Sequence, residues 1–352
     1  MASECNWSLQ TYAHDFFDQH KEFVALADKV GDSSFFITGG TGLFGCWVLS
    51  FFDWAQQRKL ADPKICILVR RQLPLNKKGW RVILGDISNF EYESVVTDYV
   101  LHMAAPTARE TFQGMGDMDK FDMLTRGAKH VLNFSRERTR ERTLMLSSGA
   151  IYGGFGSERC LPISEIDCHS PSFKTPNQGL AIGKRATEFL TKAYADAAFV
   201  DASVARCFSF VGPGLPVDIH YAVGNFVHQA LVDGEIIIKG DGKPIRSYMY
   251  LGDMVLWLLR ILMDGVNGED YNVGSNESIS ILDLAKKVVQ LSGGDAKITL
   301  LGHQNQTSGN PPNQFYVPDI NKCRQELDLR PLFDLEESLK RYIAYNKQMM
   351  CR

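Results

Sequence analysis

The stretch Phe35-Phe-Ile-Thr-Gly-Gly-Thr-Gly-Leu-Phe-Gly45 decides the fold of this chain. Three apolar residues lead into a glycine-rich loop, and a helical pattern over about 43–58 follows it. A strand, a glycine loop and a helix in this order let the backbone turn tightly and approach a pyrophosphate, whose charge the amides at the helix N-terminus meet. The stretch therefore predicts a dinucleotide-binding site, with a merely structural turn as the alternative.

Short apolar strands alternate with helices around this stretch. Strands are predicted over 64–69, 81–84, 99–103, 143–146 and 199–205, and helices over 119–135 and 180–197. Buried strands that alternate with helices form parallel βαβ units, in which helices cover both faces of the sheet. The pattern predicts an α/β fold, namely a Rossmann-type doubly wound parallel sheet with a smaller C-terminal domain.

The composition is that of an ordinary folded protein. The 352 residues include 38 Lys and Arg and 41 Asp and Glu, giving a net charge of −3, with 45% hydrophobic residues. These values exclude a mainly disordered, collagen-like or coiled-coil chain, and the near-neutral charge argues against a nucleic-acid partner. The most apolar run, 254–263, is shorter than the ~20 residues of a membrane span and contains Arg260. The N-terminal residues lack signal-peptide features, so a cytoplasmic protein without a membrane partner is expected.

The eight cysteines are scattered without the paired spacing of a zinc site, and the histidines are dispersed. Cys66 and Cys207 lie in strand-like runs, where a free cysteine behaves as a small apolar side chain. Because disulfide frameworks belong mainly to short secreted chains, reduced thiols and no metal site are expected.

The chain is predicted to divide into three parts. Residues 1–32 form a helical extension with one amphipathic helix over 11–30, and residues 33–212 form the NAD(P)-binding Rossmann domain. Glycine and proline cluster at 212–216 and shorter elements follow, so 213–352 is predicted to be the smaller domain, with about 250–275 returning to the first. The polar loop 303–313 is predicted to be mobile.

Further motifs follow the glycine loop in order along the chain. They are Gly85-Asp-Ile87, His102-Met-Ala-Ala105, Ser147-Ser-Gly-Ala-Ile-Tyr-Gly153, Gly183-Lys-Arg185, the segment 240–253 around Arg246, and Tyr271-Asn-Val-Gly274. With these motifs the sequence resembles, from about Phe35 to Leu339, the extended short-chain dehydrogenase/reductase family of nucleotide-sugar epimerases and dehydratases. Within that family it looks most like the dTDP-glucose 4,6-dehydratase-like group.

The resemblance implies NAD(P) as cofactor. The implied cofactor-binding residues are Gly39, Thr41, Gly42, Leu43, Phe44, Gly45, Arg70, Arg71, Asp86, Ile87, Met103, Ala104, Ala105 and Lys184. An NAD site usually has Asp or Glu at the tip of the second strand, whereas this strand ends Val69-Arg70-Arg71. Arginines suit a 2′-phosphate, so NADP is favoured over NAD; the alternative is that both arginines only solvate the strand end.

The resemblance also implies a nucleoside-diphosphate sugar as substrate, a sugar-nucleotide-binding role for 213–352, and a homodimer. Ser148 is the implied catalytic hydroxyl that also binds the sugar, and Lys184 is the implied catalytic lysine that holds the nicotinamide ribose. Arg246 is expected to pair with the substrate pyrophosphate. Asn225 and His220 are expected to contact the nucleotide.

Two neighbouring residues carry further expectations. Gly183 is a poor helix former beside Lys184, which indicates the close approach of a ligand. His102 is expected to be a packed residue at a strand tip, where Ala104 and Ala105 leave room for the cofactor.

The chain departs from the family pattern in two places. The family dehydratases carry an Asp-Glu pair directly after the catalytic hydroxyl, where this chain has Gly149 and Ala150. Removing water from an alcohol needs acid–base groups, so the usual 4,6-dehydratase mechanism is disfavoured. The family general base of the Tyr-x-x-x-Lys motif is replaced by Leu180, four residues before Lys184.

Three interpretations of Leu180 stay open. Another group transfers the proton, with Tyr152, Asp167, Cys168 and His169 as candidates. Alternatively, the chain is a catalytically disabled binding protein or partner subunit, or it runs a reaction whose protons come from substrate or water. An enzyme that oxidises or reduces the sugar at or near C4, as an epimerase or a ketosugar reductase, is favoured.

Overall fold

The computed structural model describes residues 9–72, 77–154, 161–167, 169, 171–172, 177–219, 221–302 and 315–351. A seven-stranded parallel sheet forms its centre and confirms the predicted Rossmann-type α/β fold. Its strands, in chain order, are β1 (Ser34–Thr38), β2 (Lys64–Val69), β3 (Trp80–Leu84), β4 (Thr97–His102), β5 (Thr139–Ser148), β6 (Ala202–Cys207) and β11 (Asp270–Val273). In space they follow the order β11-β6-β5-β4-β1-β2-β3.

The helices lie before, between and after these strands. They are α1 (Gln10–Gln19), α2 (Lys21–Val30), α3 (Leu43–Gln57), α4 (Ala108–Phe112), α5 (Asp117–Arg138), α6 (Gly179–Asp196), α7 (Ala222–His228), α8 (Leu251–Asp264), α9 (Ile281–Ser292), α10 (Asn321–Leu327) and α11 (Leu335–Met350). A 3₁₀ turn, Gly149–Tyr152, follows β5, and a π-helical turn, Gln229–Asp233, extends α7.

The single helix expected over 11–30 is wrong, because the chain forms two helices separated at His20. The backbone of His20 is extended, with φ −126° and ψ 115°, and its N–H closes α1 on Phe17. The break redirects the chain so that Phe16, Phe17 and Phe23 are all fully buried, packed on one another and against Tyr250, Phe51 and Trp54. These two helices therefore contribute to the core of the large sheet.

Three small sheets lie beyond β6. They comprise the parallel pair β7 (Phe210–Val211) and β10 (Met249–Tyr250), the pair β8 (Glu235–Ile238) and β13 (Lys297–Leu300), and the sheet β12-β9-β14 formed by Ile279–Ser280, Ile245–Arg246 and Phe315–Tyr316. A second hydrophobic cluster joins α7, α9 and α11. Five of these strands are two residues long, too short to produce an alternating sequence pattern, and the sequence did not predict those five. The four-residue β8 matches the strand that the sequence predicts over 235–239.

Five cysteines in the described parts of the chain are thiols outside any disulfide: Cys46, Cys66, Cys207, Cys323 and Cys351. Among the described residues, no group of three or more His, Cys, Asp or Glu is arranged to hold a metal ion. A search of the same residues finds no helix long and apolar enough to span a membrane. The predicted mobility of 303–313 falls outside the described residues.

Asp253, in the first turn of α8, has a pH-dependent effect on stability. It is fully buried, and its carboxylate accepts hydrogen bonds from the backbone N–H groups of Leu332 (2.8 Å) and Phe333 (3.3 Å). Burial raises its pKa to about 7. The folded pKa lies above the unfolded value of about 4, so the protonated Asp253 carboxyl contributes to the free energy of unfolding. This contribution is fully present below pH ~4 and is lost as the pH rises through 7.

We expect Asp253→Asn to remove this pH dependence, since asparagine carries no charge and keeps one acceptor oxygen. The free energy of unfolding of the variant minus that of the parent protein should rise by about 2–4 kcal/mol from pH 4 to pH 8. Denaturant unfolding at both pH values measures it, with the exposed Asp295→Asn as a matched control. Parallel pH profiles for Asp253→Asn and the parent would contradict this account.

Candidate functional site

The glycine loop lies where the direction of winding of the sheet reverses. Strand β1 pairs with β2 on one side and with β4 on the other, so the chain leaves β1 between two diverging halves of the sheet. In doubly wound folds, ligands bind at the carboxyl ends of the strands at this point. Here the carboxyl ends of β1, β4 and β5 carry the glycine loop, Met103-Ala-Ala105 and Ser148 respectively.

The loop after β1 is closed by glycines because no side chain fits there. Gly39 has φ +71°, and a Cβ on it would overlap the backbone of Met103 and Ala104. A Cβ on Gly45 would overlap the backbone of Gly39 and Gly40. The amides of the first turn of α3, which begins after Gly42, are thereby presented beside the loop. The cradle fits a dinucleotide pyrophosphate. Thr41, Leu43 and Phe44, in and directly after the loop, are partly exposed.

A buried hydrogen-bonded pair fixes this loop to β4. Thr38 Oγ1 and His102 Nδ1 are 2.8 Å apart, and the N–H of Ala104 donates to Thr38 Oγ1 at 3.2 Å. Burial and the nearby charge of Lys184 lower the pKa of His102 to about 3, so its ring is neutral at physiological pH. His102 lies packed at the strand tip, while Ala104 and Ala105 are partly exposed beside the cradle.

Lys184 is buried under the carboxyl ends of the central strands. Only 4% of the residue is exposed, and its Nζ donates a hydrogen bond to the carbonyl oxygen of Leu146 on β5. Burial lowers its pKa to about 8. A desolvated ammonium at this edge of the sheet is suited to hold a ribose hydroxyl.

The interpretation of Gly183 as the site of a ligand's approach is wrong, because a helix approaches it instead. A Cβ on Gly183 would meet the side chain of Leu124 and the backbone of Phe121, both on α5. Gly179, at the start of α6, packs in the same way against the backbone of Asp117. The two glycines bring α6 close to α5.

The tip of β2 and the segment after β3 carry charged groups of both signs. Arg70 and Arg71 are exposed at the tip of β2, and the guanidinium of Arg70 donates two 3.2 Å hydrogen bonds to Glu110. Asp86 accepts hydrogen bonds from the backbone and side chain of Ser88, whose contacts lower the Asp86 pKa. Ile87, next to Asp86, is buried.

Ser148 ends β5 and begins the 3₁₀ turn. Its Oγ accepts a hydrogen bond from the N–H of Ala150 at 3.2 Å, and the residue is partly exposed. Leu180 lies in the first turn of α6, one turn before Lys184, and is also partly exposed.

The structure constrains three of the four candidates to replace Leu180 as proton-transfer group. Tyr152 is buried, and its hydroxyl donates to Asn272 Oδ1 (2.8 Å) and accepts from Arg206 (2.9 Å). Asp167 accepts the N–H of Ser164 and so closes a turn. His169 is exposed, and its carbonyl accepts from Arg185. Cys168, like His220, lies outside the described residues.

Arg246 and Asn225 lie in different small elements. Arg246, on β9, is partly buried and donates to the carbonyl oxygen of Ile245 at 2.8 Å. No carboxylate pairs with it within the described parts of the chain, so its charge is available to an anionic ligand. Asn225 is a partly exposed residue of α7.

One neighbour of Ser148 has no signal in the sequence. Tyr316, on β14, directs its hydroxyl toward Gly149; burial raises the pKa of this phenol, and a hydrogen bond with the Ser148 side chain partly opposes that shift. The residue follows a stretch of polar sequence and belongs to no motif. Only the pairing of β14 with β9 could have revealed it.

The sequence matches a known family and several characterised proteins. The NAD dependent epimerase/dehydratase family matches residues 35–274. UDP-glucuronic acid decarboxylase 1 of Xenopus tropicalis is 27% identical over 251 residues, covering 71% of this chain and 57% of that protein. The dTDP-D-glucose 4,6-dehydratase of Mus musculus is 25% identical over 327 residues, covering 89% and 88%.

The chain spans only 34–66% of the length of the first four UDP-glucuronic acid decarboxylases it matches. Among solved structures, a UDP-glucose 4-epimerase of Thermotoga maritima with UDP-glucose superposes with a TM-score of 0.74 at 21% identity. The superposition covers 90% of this chain and 99% of that one. At this identity the likeness supports the fold.

Proposed function

Because the chain belongs to the NAD-dependent epimerase/dehydratase family, we propose that it binds NAD(P) and oxidises or reduces a nucleoside-diphosphate sugar at or near C4. The observation that carries this proposal is the glycine cradle at the end of β1, with Ser148 at the end of β5 and the buried Lys184 of α6 hydrogen-bonded to the same strand. An epimerase returns the hydride to the same sugar, whereas a ketosugar reductase consumes reduced cofactor.

Each residue of the site has a proposed part in this reaction. The loop amides and Lys184 bind and orient the dinucleotide, which supplies or accepts a hydride when bound. Ser148 holds the sugar oxygen at the reacting carbon. Arg246 is proposed to pair with the substrate pyrophosphate, and Asn225 to contact the nucleotide. The absence of titratable side chains at Gly149 and Ala150 disfavours the usual 4,6-dehydratase mechanism.

The purified chain can be tested with UDP-glucose, UDP-glucuronic acid and dTDP-glucose in the presence of NAD, NADH, NADP or NADPH. We expect at least one of these sugars to be converted. Nicotinamide absorbance and chromatography of the products measure the conversion. Binding of cofactor and sugar without any conversion would favour the second candidate, a disabled binding protein or partner subunit, which Leu180 supports. The expectations of a homodimer, a cytoplasmic location and the division at 32 and 212 stay predictions.

We further propose that NADP is preferred over NAD, supported by Arg70 and Arg71 at the tip of β2. The Glu110 carboxylate forms an ion pair with Arg70 and so competes with a 2′-phosphate for its charge. We therefore expect Glu110→Gln to lower the Kd for NADPH by about 3–10-fold and to leave the Kd for NADH unchanged. Glutamine can still accept the N–H of Thr107, which caps α4. Fluorescence titration measures both constants, with the exposed ion-pair variant Glu336→Gln as control. Equal changes for the two cofactors would contradict a 2′-phosphate site at Arg70.

A further inference from the structure

Tyr316 is held beside Ser148 by contacts with elements remote from it in sequence. Strand β14 runs parallel to β9 with Tyr316 paired to Arg246. The Tyr316 ring lies 4.8 Å from the ring of Phe208, and the Arg246 guanidinium is 5.9 Å from the Tyr316 ring centroid. The chain after β14 is fixed as well, because the N–H of Ile163 donates to the carbonyl of Val317 at 2.8 Å.

The hydroxyl of Tyr316 occupies space that only a glycine at position 149 leaves open. A Cβ on Gly149 would overlap this hydroxyl oxygen. Ser148, the adjacent residue, is within hydrogen-bonding reach of the same phenol. Tyr316 and Ser148 are both partly exposed residues.

Other tyrosine hydroxyls nearby are buried or engaged elsewhere. Tyr152 is bound to Asn272 and Arg206, as described above. Tyr248 is 7% exposed, and the hydroxyl of Tyr271 bonds to Glu326. Leu180 itself has no proton to exchange. Among the described residues, these contacts leave Tyr316 as the phenol beside Ser148.

We propose that Tyr316 is the catalytic proton-transfer residue of this chain, replacing the tyrosine that Leu180 displaces. The proposal rests on the proposed oxidation or reduction of a nucleotide sugar. It assigns a specific partner to Ser148: the two hydroxyl groups bind the same sugar oxygen. Gly149, which departs from the dehydratase pattern, provides the space for this arrangement.

The proton moves as follows. In the reducing direction, the sugar carbonyl carbon gains a hydride from a nicotinamide dinucleotide, and the C=O π electrons move to oxygen. The O–H bond of Tyr316 breaks, and a new O–H bond forms on the sugar. Arg246 and Ser148 stabilise the resulting phenolate, which solvent reprotonates. The oxidising direction is the reverse: solvent first takes the phenol proton, and the phenolate then accepts the proton of the sugar hydroxyl as the hydride leaves the carbon. Burial raises the Tyr316 pKa, so the acidic phenol form is present at neutral pH.

Tyr316→Phe tests this assignment because it removes the hydroxyl and keeps the ring between Phe208 and Arg246. We expect kcat on the sugar converted by the parent protein to fall by about 10²–10⁴-fold, the range of general acid–base catalysis. The cofactor Kd should stay within about twofold. Tyr194→Phe is the matched control: it removes one hydroxyl, bonded to Asn133 at 2.6 Å, on the far part of α6 and should retain activity.

A second readout does not depend on turnover. Nuclear magnetic resonance of protein labelled with ¹³C at the tyrosine rings gives one set of signals for each tyrosine. The Tyr316 signal is assigned as the one that is missing from the spectrum of Tyr316→Phe. We expect it to shift when UDP-glucose, UDP-glucuronic acid or dTDP-glucose binds, and not with UDP or dTDP alone, since only the sugar reaches the phenol. Gly149→Ala should displace the hydroxyl and lower kcat in the same direction.

The outcomes separate the two proposals. The role of Tyr316 would be overturned if Tyr316→Phe kept the parental kcat, or if the Tyr316 signal did not shift when the sugar nucleotide binds. Either result would leave the proposed enzymatic function intact. If the parent protein converts no sugar in the panel, the proposed function fails and the proton-transfer role fails with it. Loss of kcat at unchanged cofactor affinity, together with the sugar-dependent shift, supports both.

Discussion

Gly45→Ala is expected to abolish measurable dinucleotide binding, raising the Kd for NAD(P)H by more than about 100-fold. Gly45 is buried at the start of α3, and an added Cβ would lie within 3.0 Å of the Gly39 carbonyl oxygen and the Gly40 backbone. Backbone atoms cannot turn aside as a flexible side chain can, so the loop or the helix must shift. Either shift withdraws the amides that would meet the pyrophosphate.

Fluorescence titration with NADH and NADPH measures this loss, and denaturant unfolding measures the accompanying cost of about 1–3 kcal/mol for overpacking. Gly294→Ala is the matched control, because no atom lies within 4 Å of its added Cβ. If the Gly45→Ala variant is folded and binds the cofactor with the parental Kd, the glycine loop is not part of the cofactor site.

Lys184→Met is expected to stabilise the free protein and to weaken dinucleotide binding at the same time. The ammonium is buried beside neutral His102, and its pKa of about 8 lies below the unfolded value of about 10.4. A depressed lysine pKa means that stability is greatest above pH 10 and is lost as the pH falls through 8. Methionine fills similar space without a charge, so the variant gains up to about 3 kcal/mol below pH 8.

The same substitution removes the group proposed to hold the nicotinamide ribose. A charge-assisted hydrogen bond contributes about 1.5–3 kcal/mol, so the cofactor Kd should rise by roughly 10–100-fold. Thermal unfolding at pH 7 and titration with NADPH measure the two effects, and the exposed Lys192→Met on the same helix serves as control. Unchanged cofactor affinity would reject the ribose role, whereas a less stable variant would show that Lys184 is a structural residue.

Stability and binding that change in opposite directions are the mark of a functional residue, since a buried charge without a ligand is costly to the folded state. Asp253 shows the contrast. Like Lys184, Asp253 is buried and its neutral form is favoured. Its carboxylate, however, accepts hydrogen bonds from two backbone N–H groups of the chain after α10. Its role is therefore structural, to connect α8 to the segment before α11.

Local patterns in the sequence were sufficient for the fold and for one half of the site. A buried strand, a glycine loop and a helix are consecutive residues whose conformations follow from short-range sterics, so 35–45 predicted the cradle. The departures at Gly149, Ala150 and Leu180 were visible for the same reason, as each belongs to a short motif. The break at His20 was missed because both helices share one apolar periodicity, and packing of Phe16, Phe17 and Phe23 decides the angle between them.

The sequence by itself determined the fold class, the glycine loop after the first strand and the absence of a tyrosine at position 180. Only the tertiary structure decided that Gly183 faces α5, that Glu110 neutralises Arg70, and that Tyr316 lies beside Ser148. The reason is physical: each of these contacts joins segments far apart in the chain. Whether such segments meet depends on how strands pair and helices pack, and the two-residue strands β9 and β14 that bring Tyr316 to the site carry no periodicity of their own.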